Sequence, residues 1–351
     1  MRVLFDIVHP AHALFFKRPI EVLKRRKDIV LILSRHKDVT CALLDEFGFP
    51  HEPISKAGKG LSGLLSELVL RDYAVIGAAR RFRPDVMIGF GGVSISHVGR
   101  LLSIPAISFY DSENATLQTR ITWPFITHLY VPDSYTGKVP ENRTTRLPGI
   151  KQLAYLNPSV FRPSREIATK LGLKPDVDNF FVRVVAWNAN HDVTKSGWNP
   201  GLLRSVLDKL SSLGKVHLSS ELPLGDEFDR YLYRGSKAHI HHLIGNCRLL
   251  IGESATMAAE AAIMGVPAIY AAHDFPGYVR SLEDAGLVTN IPDPDQNVIL
   301  GAIDDIMARD PAEIIVNRDS YVAKCPDWSE EAIKAIEYYA QVRKKAWRES
   351  P

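Results

Sequence analysis

Leu249-Leu250-Ile251-Gly252-Glu253-Ser254-Ala255-Thr256-Met257-Ala258-Ala259-Glu260-Ala261-Ala262-Ile263-Met264-Gly265-Val266-Pro267 contains the full grammar of a β-strand passing into an α-helix. Three large aliphatic residues make a strand buried on both faces, Gly252 permits a tight turn, and Ser254 has the side chain of a helix N-cap. Good helix formers fill 255–264, and Gly265 with Pro267 closes the helix. The same alternation extends outward in both directions. Towards the N-terminus, Val3 to Val8, Ile29 to Leu33, Val86 to Phe90, Ala106 to Tyr110 and His128 to Val131 read as strands separated by helical stretches. After Pro163 a second series begins, with Phe180 to Ala186, Lys215 to Ser219, Leu249 to Gly252 and Pro267 to Ala271. Repeated βα units imply an α/β protein with mostly parallel sheets covered on both faces.

A chain of 351 residues exceeds what one core usually supports, so two domains are expected. Pro148, Gly149, Pro158 and Pro163 give the stretch between the two strand series the character of a hinge. The expected division is 1–155, 156–328 and a C-terminal helix over 329–351 that crosses back to either domain. Hydrophobic residues at 46% and charged residues at 24% exclude a disordered chain. Cys41, Cys247 and Cys325 are far apart and form no CxxC pair, against a structural zinc site or a disulfide scaffold and in keeping with a reducing cytoplasm. The apolar run Met1 to Val8 is interrupted by Asp6 and too short for a signal peptide or membrane span.

The formal charge of +3 is uneven, net +6 over residues 1–150 and net −3 over the remainder. Lys17, Arg18, Lys24, Arg25, Arg26 and Lys27 supply much of the excess, with Arg80, Arg81 and Arg83. They read either as a solvated helix face or as a surface for anionic lipid or a phosphorylated acceptor; the lipid reading would place the protein peripherally at the inner membrane face. No aromatic-basic motif accompanies them, so no nucleic-acid partner is expected.

Ligands of open parallel sheets sit beyond the carboxyl ends of the strands, so the residues just after each strand carry the functional reading. Ser254 and the small Ala255 leave the N–H groups at the positive end of a helix open to a phosphate. Glu260 stands among Ala, Met and Ile, where a carboxylate lacks an obvious structural need; it can accept from both ribose hydroxyls, or pair with a nearby base. His9 and His12 follow the first strand and are candidates for a general base, the alternative being a loop histidine that caps the next helix. Gly91 and Gly92 in Gly89-Phe90-Gly91-Gly92-Val93 allow close backbone approach, but the spacing is not that of a dinucleotide fingerprint. Asp111, Glu113 and Asn114 follow another strand and suit sugar hydroxyls, or are solvated loop residues. In the second series Arg183 fits a phosphate, Trp187 and Asn188 line a cleft loop, and His273-Asp274 could contact a sugar. His241-His242 reads as packing or surface.

Glu253-Ser254-Ala255-Thr256, Glu260-Ala261 and Met264-Gly265-Val266-Pro267 resemble the donor site of two-Rossmann-domain (GT-B type) glycosyltransferases and UDP-N-acetylglucosamine 2-epimerases. There an acidic-serine turn leads into a helix with Glu-Ala and then Leu-Gly-Val-Pro. The resemblance implies two Rossmann-like domains facing a central cleft, with Ser254, Ala255 and Thr256 on the diphosphate and Glu260 on the ribose. Asp85 to Gly92, Gly99 to Pro105 and Asn114-Ala115 look like the first domain of the transferases, whose loop base is matched by His12. More closely, the chain is similar to an uncharacterised family of proteins allied to those enzymes. The likeness lies in Asp6-Ile7, Pro10, His12, Phe15-Phe16, in Gly149 with Lys151 and Leu153-Ala154-Tyr155-Leu156, and in Val182-Arg183 with Ala186-Trp187-Asn188-Ala189.

The expected function is transfer of a sugar from a nucleotide-sugar, UDP-linked, to a hydroxyl on a glycan or lipid-linked acceptor, in glycan or surface polysaccharide synthesis. Neither a metal nor a cofactor beyond the nucleotide-sugar substrate is required. A 2-epimerase, hydrolysing or not, and a non-catalytic nucleotide-sugar binder are the alternatives. Ala255-Thr256 stands where epimerases have a glycine pair, and His9-Pro10-Ala11-His12 replaces their Gly-Thr-Arg-Pro-Glu loop, both of which favour transfer.

Overall fold

The structure, a computed structural model, describes residues 1–36, 39–56, 60–185, 197–221 and 223–348. It divides into two compact units, Met1–Tyr155 with Cys325–Pro351, and Leu156–Lys324.

The first unit is built on seven parallel strands: β1 (Arg2–Ile7), β2 (Ile29–His36), β3 (Glu52–Lys56), β4 (Val86–Phe90), β5 (Ala106–Phe109), β6 (His128–Pro132) and β7 (Thr144–Leu147). Their order is β3-β2-β1-β4-β5-β6-β7. β1 pairs with β2 on one side and with β4 on the other, so the winding reverses between β1 and β4. That is the doubly wound Rossmann-like arrangement, whose crevice opens at the carboxyl ends of the two strands flanking the reversal. Strand periodicity sorts the core. Leu4 and Met87 face the helices Gly60–Phe82 and Val93–Leu102 with Val75, Ile95 and Val98. Phe5 turns to the opposite face, where its ring meets Phe16. Phe15 and Phe109 continue that aromatic layer to Trp328 of the C-terminal helix Trp328–Arg348.

The second unit has five parallel strands, β8 (Asp178–Val184), β9 (Gly214–Ser220), β10 (Leu249–Gly252), β11 (Ala268–Tyr270) and β12 (Val288–Asn290), ordered β12-β11-β10-β8-β9. Here the reversal falls between β8 and β10. Phe180, Val182 and Val184 share one face with Leu203, Val206, Leu210 and Ile303, which leaves Phe181 and Arg183 on the other.

Three strands beyond those expected from sequence are present: β3, β7 and β12. Each closes a sheet edge. Among the described residues no helix is long and apolar enough to cross a membrane.

Candidate functional site

In the second unit the reversal point is occupied by the turn that ends β10. Gly252 pairs with Arg183, and a Cβ on Gly252 would collide with the Arg183 carbonyl oxygen, so the close approach of β8 and β10 requires glycine. Ser254 is the N-cap of the helix Ala255–Ile263, its hydroxyl accepting from the Met257 N–H at 3.3 Å. Residues 254–257 are half-buried and 258–263 are buried, so only the N-terminal turn of this helix meets solvent. That turn gathers the N–H groups that no preceding helical carbonyl can reach, at the positive end of the helix dipole.

The side chains around it have definite employments. Glu253 accepts from the Val185 N–H at 3.1 Å and the Trp198 N–H at 2.8 Å. It therefore clasps the two backbone positions on either side of residues 186–196. Trp187 and Asn188 lie outside the described residues. Burial pushes the Glu253 carboxyl up, against the pull of those two N–H groups. Arg183 donates to Ser219 Oγ at 2.8 Å and to Glu221 Oε1 at 2.6 Å, so its guanidinium is turned towards β9. Asp274 accepts from the Tyr270 hydroxyl, and burial with that carboxylate raises the Tyr270 pKa. His273 Nδ1 lies 3.7 Å from Asp293. Glu260 is 5% exposed, and its Oε1 lies 3.2 Å from Nε2 of His241, itself 6% exposed. The sequence reading of His241 as packing or surface missed this pairing.

In the first unit, His9 and His12 lie just beyond β1, at the start of the helix Pro10–Arg25. His9 is the N-cap of the helix Pro10–Arg25, its Nδ1 accepting from the Ala11 N–H at 3.2 Å. His12, one turn on, stacks against Phe90 at the end of β4, with ring centroids 5.0 Å apart. Gly91 and Gly92 have φ of +80° and +59°, the left-handed region that glycine enters without strain. A Cβ on Gly91 would strike the side-chain amide of Gln118.

Asp111 follows β5 and is buried against Lys151, with Oδ2 2.7 Å from Nζ. Lys151 Nζ also lies 5.2 Å from the Phe90 ring centroid, so His12 and Lys151 converge on one aromatic ring. Burial raises the Tyr110 phenol, and neighbouring Tyr135, Asp111 and Glu113 raise it further. Tyr135 is pushed up to about 12, by burial first and then by Glu113 and Asp111. Asp111 is buried, Glu113 is half-buried and Asn114 is exposed. Arg71 braces the end of β1 through the buried Asp6 and through Ser55 Oγ at 2.6 Å.

Lys151 was not among the expected site residues. Its signal was present: one charged residue in the otherwise apolar or neutral run Ile150 to Leu156. The geometry thus offers an anion-binding helix terminus with a buried carboxylate in one unit, and imidazole, carboxylate and ammonium groups around an aromatic ring in the other.

The profile of the family described as "Protein of unknown function (DUF354)" matches residues 1–290. An uncharacterized protein of Methanocaldococcus jannaschii, MJ0665, is 22% identical over 281 residues, covering 76% of this chain and 80% of its own. Among solved structures, spinosyn rhamnosyltransferase SpnG complexed with thymidine diphosphate superposes with a TM-score of 0.66 at 14% identity, over 96% of this chain and 100% of its own. The UDP-GlcNAc 2-epimerase of M. jannaschii in complex with UDP-GlcNAc and UDP gives a TM-score of 0.66 at 12% identity, over 96% and 100%. At such identities the superpositions show a shared fold.

Proposed function

The chain belongs to the DUF354 family, and from that premise we propose that it is a glycosyltransferase, moving a sugar from a nucleoside-diphosphate-sugar, UDP-linked, to a hydroxyl acceptor. The observation that carries this reading is the helix Ala255–Ile263, capped by Ser254, with its half-buried N-terminal turn at the reversal point of the second sheet and Glu260 further along it. A diphosphate at that terminus receives N–H groups and the positive end of the dipole together. The fold is shared with glycosyltransferases and with UDP-GlcNAc 2-epimerases, whose solved complexes hold thymidine diphosphate and UDP.

In the proposed reaction His12 takes the proton of the acceptor hydroxyl. The acceptor oxygen bonds to the anomeric carbon, the bond from that carbon to the diphosphate oxygen breaks, and the nucleoside diphosphate leaves with the electron pair. The helix terminus stabilises the charge that develops on the leaving group. Arg183 contributes if it exchanges Glu221 for phosphate. This scheme assigns the diphosphate charge to the chain itself and calls for no metal. Asp111, paired with Lys151, and Glu113 two residues on provide hydroxyl-accepting groups for the acceptor. Glycan or surface polysaccharide synthesis, in the cytoplasm or at the inner membrane face, is the setting that fits a hydroxyl acceptor.

Calorimetry with UDP, GDP and CDP tests the donor site. We expect one of them to bind, and Glu260→Ala to weaken that binding. Failure of all three, with Glu260→Ala silent, would remove the nucleotide-sugar reading. The product formed from UDP-N-acetylglucosamine without acceptor then separates transfer from the 2-epimerase alternative. An altered sugar released at full rate would establish the epimerase, and binding without turnover under all conditions would establish a non-catalytic binder.

A further inference from the structure

We propose that the outer face of the helix layer formed by Gly60–Phe82, Val93–Leu102 and Thr116–Thr122 docks on an anionic phospholipid surface. The proposal stands on the first unit alone and does not depend on the donor-site reading above.

The three helices lie side by side on one face of the first sheet. Val75, Ala78, Ile95 and Val98 turn inward to Leu4 and Met87 of the strands. Helical periodicity turns other positions outward, where a layer that ends at water carries polar residues. Here it carries apolar ones. Val69, Leu70 and Tyr73 on the first helix, Leu101 on the second and Leu117 on the third are 63–79% exposed, so each keeps most of its surface in water. Phe125, just past the third helix, is exposed as well.

Single apolar residues on a surface call for no explanation, but a grouped set does. His97, on the middle helix, ties the set together. Its Nδ1 lies 2.7 Å from Asp72, the chain neighbour of Tyr73, and its Nε2 lies 2.8 Å from the carbonyl of Ile121, one turn after Leu117. Its ring stands edge-on to Phe125 with centroids 5.3 Å apart. Leu101 follows His97 by one turn on the same side of the helix.

The charges around the group decide what covers it. Arg80 and Arg81 continue the stripe of Val69 and Tyr73 along the first helix, Arg100 adjoins Leu101, and Arg120 lies one turn from Leu117; all four are exposed. The only acids on the three helices, Glu67 and Asp72, are partly buried and paired with Arg35 and His97. Glu52 takes Arg81, which leaves Arg80, Arg100 and Arg120 without a carboxylate partner among the described residues. A second copy of the chain is a poor occupant. In a two-fold pair the patch meets itself, and arginine would face arginine with no acid between them. A bilayer bearing anionic headgroups fits both halves of the pattern. The apolar side chains enter the boundary between headgroups and acyl chains, while the guanidinium groups stay level with the phosphates. Tyr73 has the amphipathic ring suited to that depth. This face is separate from the Lys17–Lys27 stretch, where Arg18 and Arg26 are engaged with the C-terminal helix.

Co-sedimentation with vesicles tests the proposal, using phosphatidylcholine alone and phosphatidylcholine mixed with phosphatidylglycerol. The wild type should bind the mixed vesicles, bind the neutral ones far less, and come off as salt is raised. Each arginine near a charged bilayer is worth about fivefold in partitioning, so Arg100→Gln with Arg120→Gln should lower the partition coefficient roughly 30-fold. Leu70→Ser with Tyr73→Ser removes apolar area and should lower it by about tenfold or more. Because these side chains are exposed, circular dichroism and the melting temperature should match the wild type. Arg25→Gln with Lys27→Gln, on the other basic stretch, should leave partitioning within about twofold, since neither residue adjoins the apolar group. No binding to either vesicle overturns the proposal, as does equal binding to both. Loss of binding in the Arg25 and Lys27 variant but not in the two patch variants moves the lipid face elsewhere and overturns it too. Sedimentation equilibrium without vesicles covers the remaining case: a dimer that Leu70→Ser with Tyr73→Ser splits would show that a second copy, not lipid, covers this face.

Discussion

At the scale of single residues, Lys151 and Asp111 are the pair whose physics is most exposed to test. Both are buried, 8% and 3% exposed, and their charged atoms lie 2.7 Å apart. Two ions leaving water lose more hydration than a single contact returns, so the pair is weak grounds for stability, but breaking it leaves one buried charge uncompensated. Lys151→Met should therefore cost about 3–5 kcal/mol in urea unfolding. The double variant Lys151→Met with Asp111→Leu should regain most of that loss. A double variant as unstable as the single would show that packing, not charge, explains the site. The pair also shows where sequence stops being informative. Ser254 ahead of a run of alanines announces a helix cap, because cap and helix are neighbours in the chain. Asp111 and Lys151 are legible separately as polar residues after a strand and within an apolar run, yet nothing local says that they meet. The same holds for His241 and Glu260, and for Glu253, whose two backbone donors, Val185 and Trp198, are more than fifty residues upstream.

At the scale of elements, the strands that sequence makes plain are the interior ones and the edge strand β9, whose Val216-His217-Leu218 is buried. β1, β4, β5 and β10 are buried on both faces, so each must be almost wholly apolar, and such runs stand out. β3 reads Glu52-Pro53-Ile54-Ser55-Lys56, β7 reads Thr144-Thr145-Arg146-Leu147 and β12 reads Val288-Thr289-Asn290. These three edge strands are partly exposed, short and polar, which protects against edge-to-edge association and erases their signature. Helix contacts carry a pH dependence of their own. His97 on the helix Val93–Leu102 has Nδ1 2.7 Å from Asp72 of the helix Gly60–Phe82 and Nε2 2.8 Å from the carbonyl of Ile121 in the helix Thr116–Thr122. Both ring nitrogens donate only in the imidazolium. The hydrogen bond to Asp72 raises its pKa most, burial opposes, and the Ile121 carbonyl adds to the rise. A raised histidine pKa gives stability that is fully present below the unfolded value near 6.5 and is lost as pH climbs through the folded value. The melting temperature of the wild type should consequently fall from pH 6 towards pH 8.5, and His97→Gln should flatten that decline. Parallel curves for the two proteins would show that other groups set the slope.

At the scale of the whole molecule, the chain leaves its first unit at Tyr155 and re-enters it at Cys325, so the first unit is completed by a helix about 180 positions after its last strand. What fastens the returning helix Trp328–Arg348 can be decided by magnitude. Its ion pairs are several: Arg18 with Asp327 and Glu330, Arg26 with Glu337, and Lys344 with Asp85. They also use up part of the basic face that sequence offered to anionic lipid. Lys17 and Lys24 lie over the rings of Phe47 and Phe49, so four of the six basic residues on that stretch have partners within the unit. The ion-pair members are mostly 19–56% exposed, where such a pair contributes about 0–1 kcal/mol and less in salt. Trp328 is fully buried in the layer with Phe15 and Phe109, and its indole N–H donates to the Pro148 carbonyl at 3.0 Å. Removing a tryptophan of this kind costs about 3–5 kcal/mol, several times any one of these ion pairs. Raising the salt concentration to screen the charges should accordingly shift the unfolding midpoint little, whereas Trp328→Ala should shift it strongly while Arg26→Ala hardly registers. If high salt destabilises the protein as much as Trp328→Ala does, the helix is held by charge and the aromatic layer is secondary.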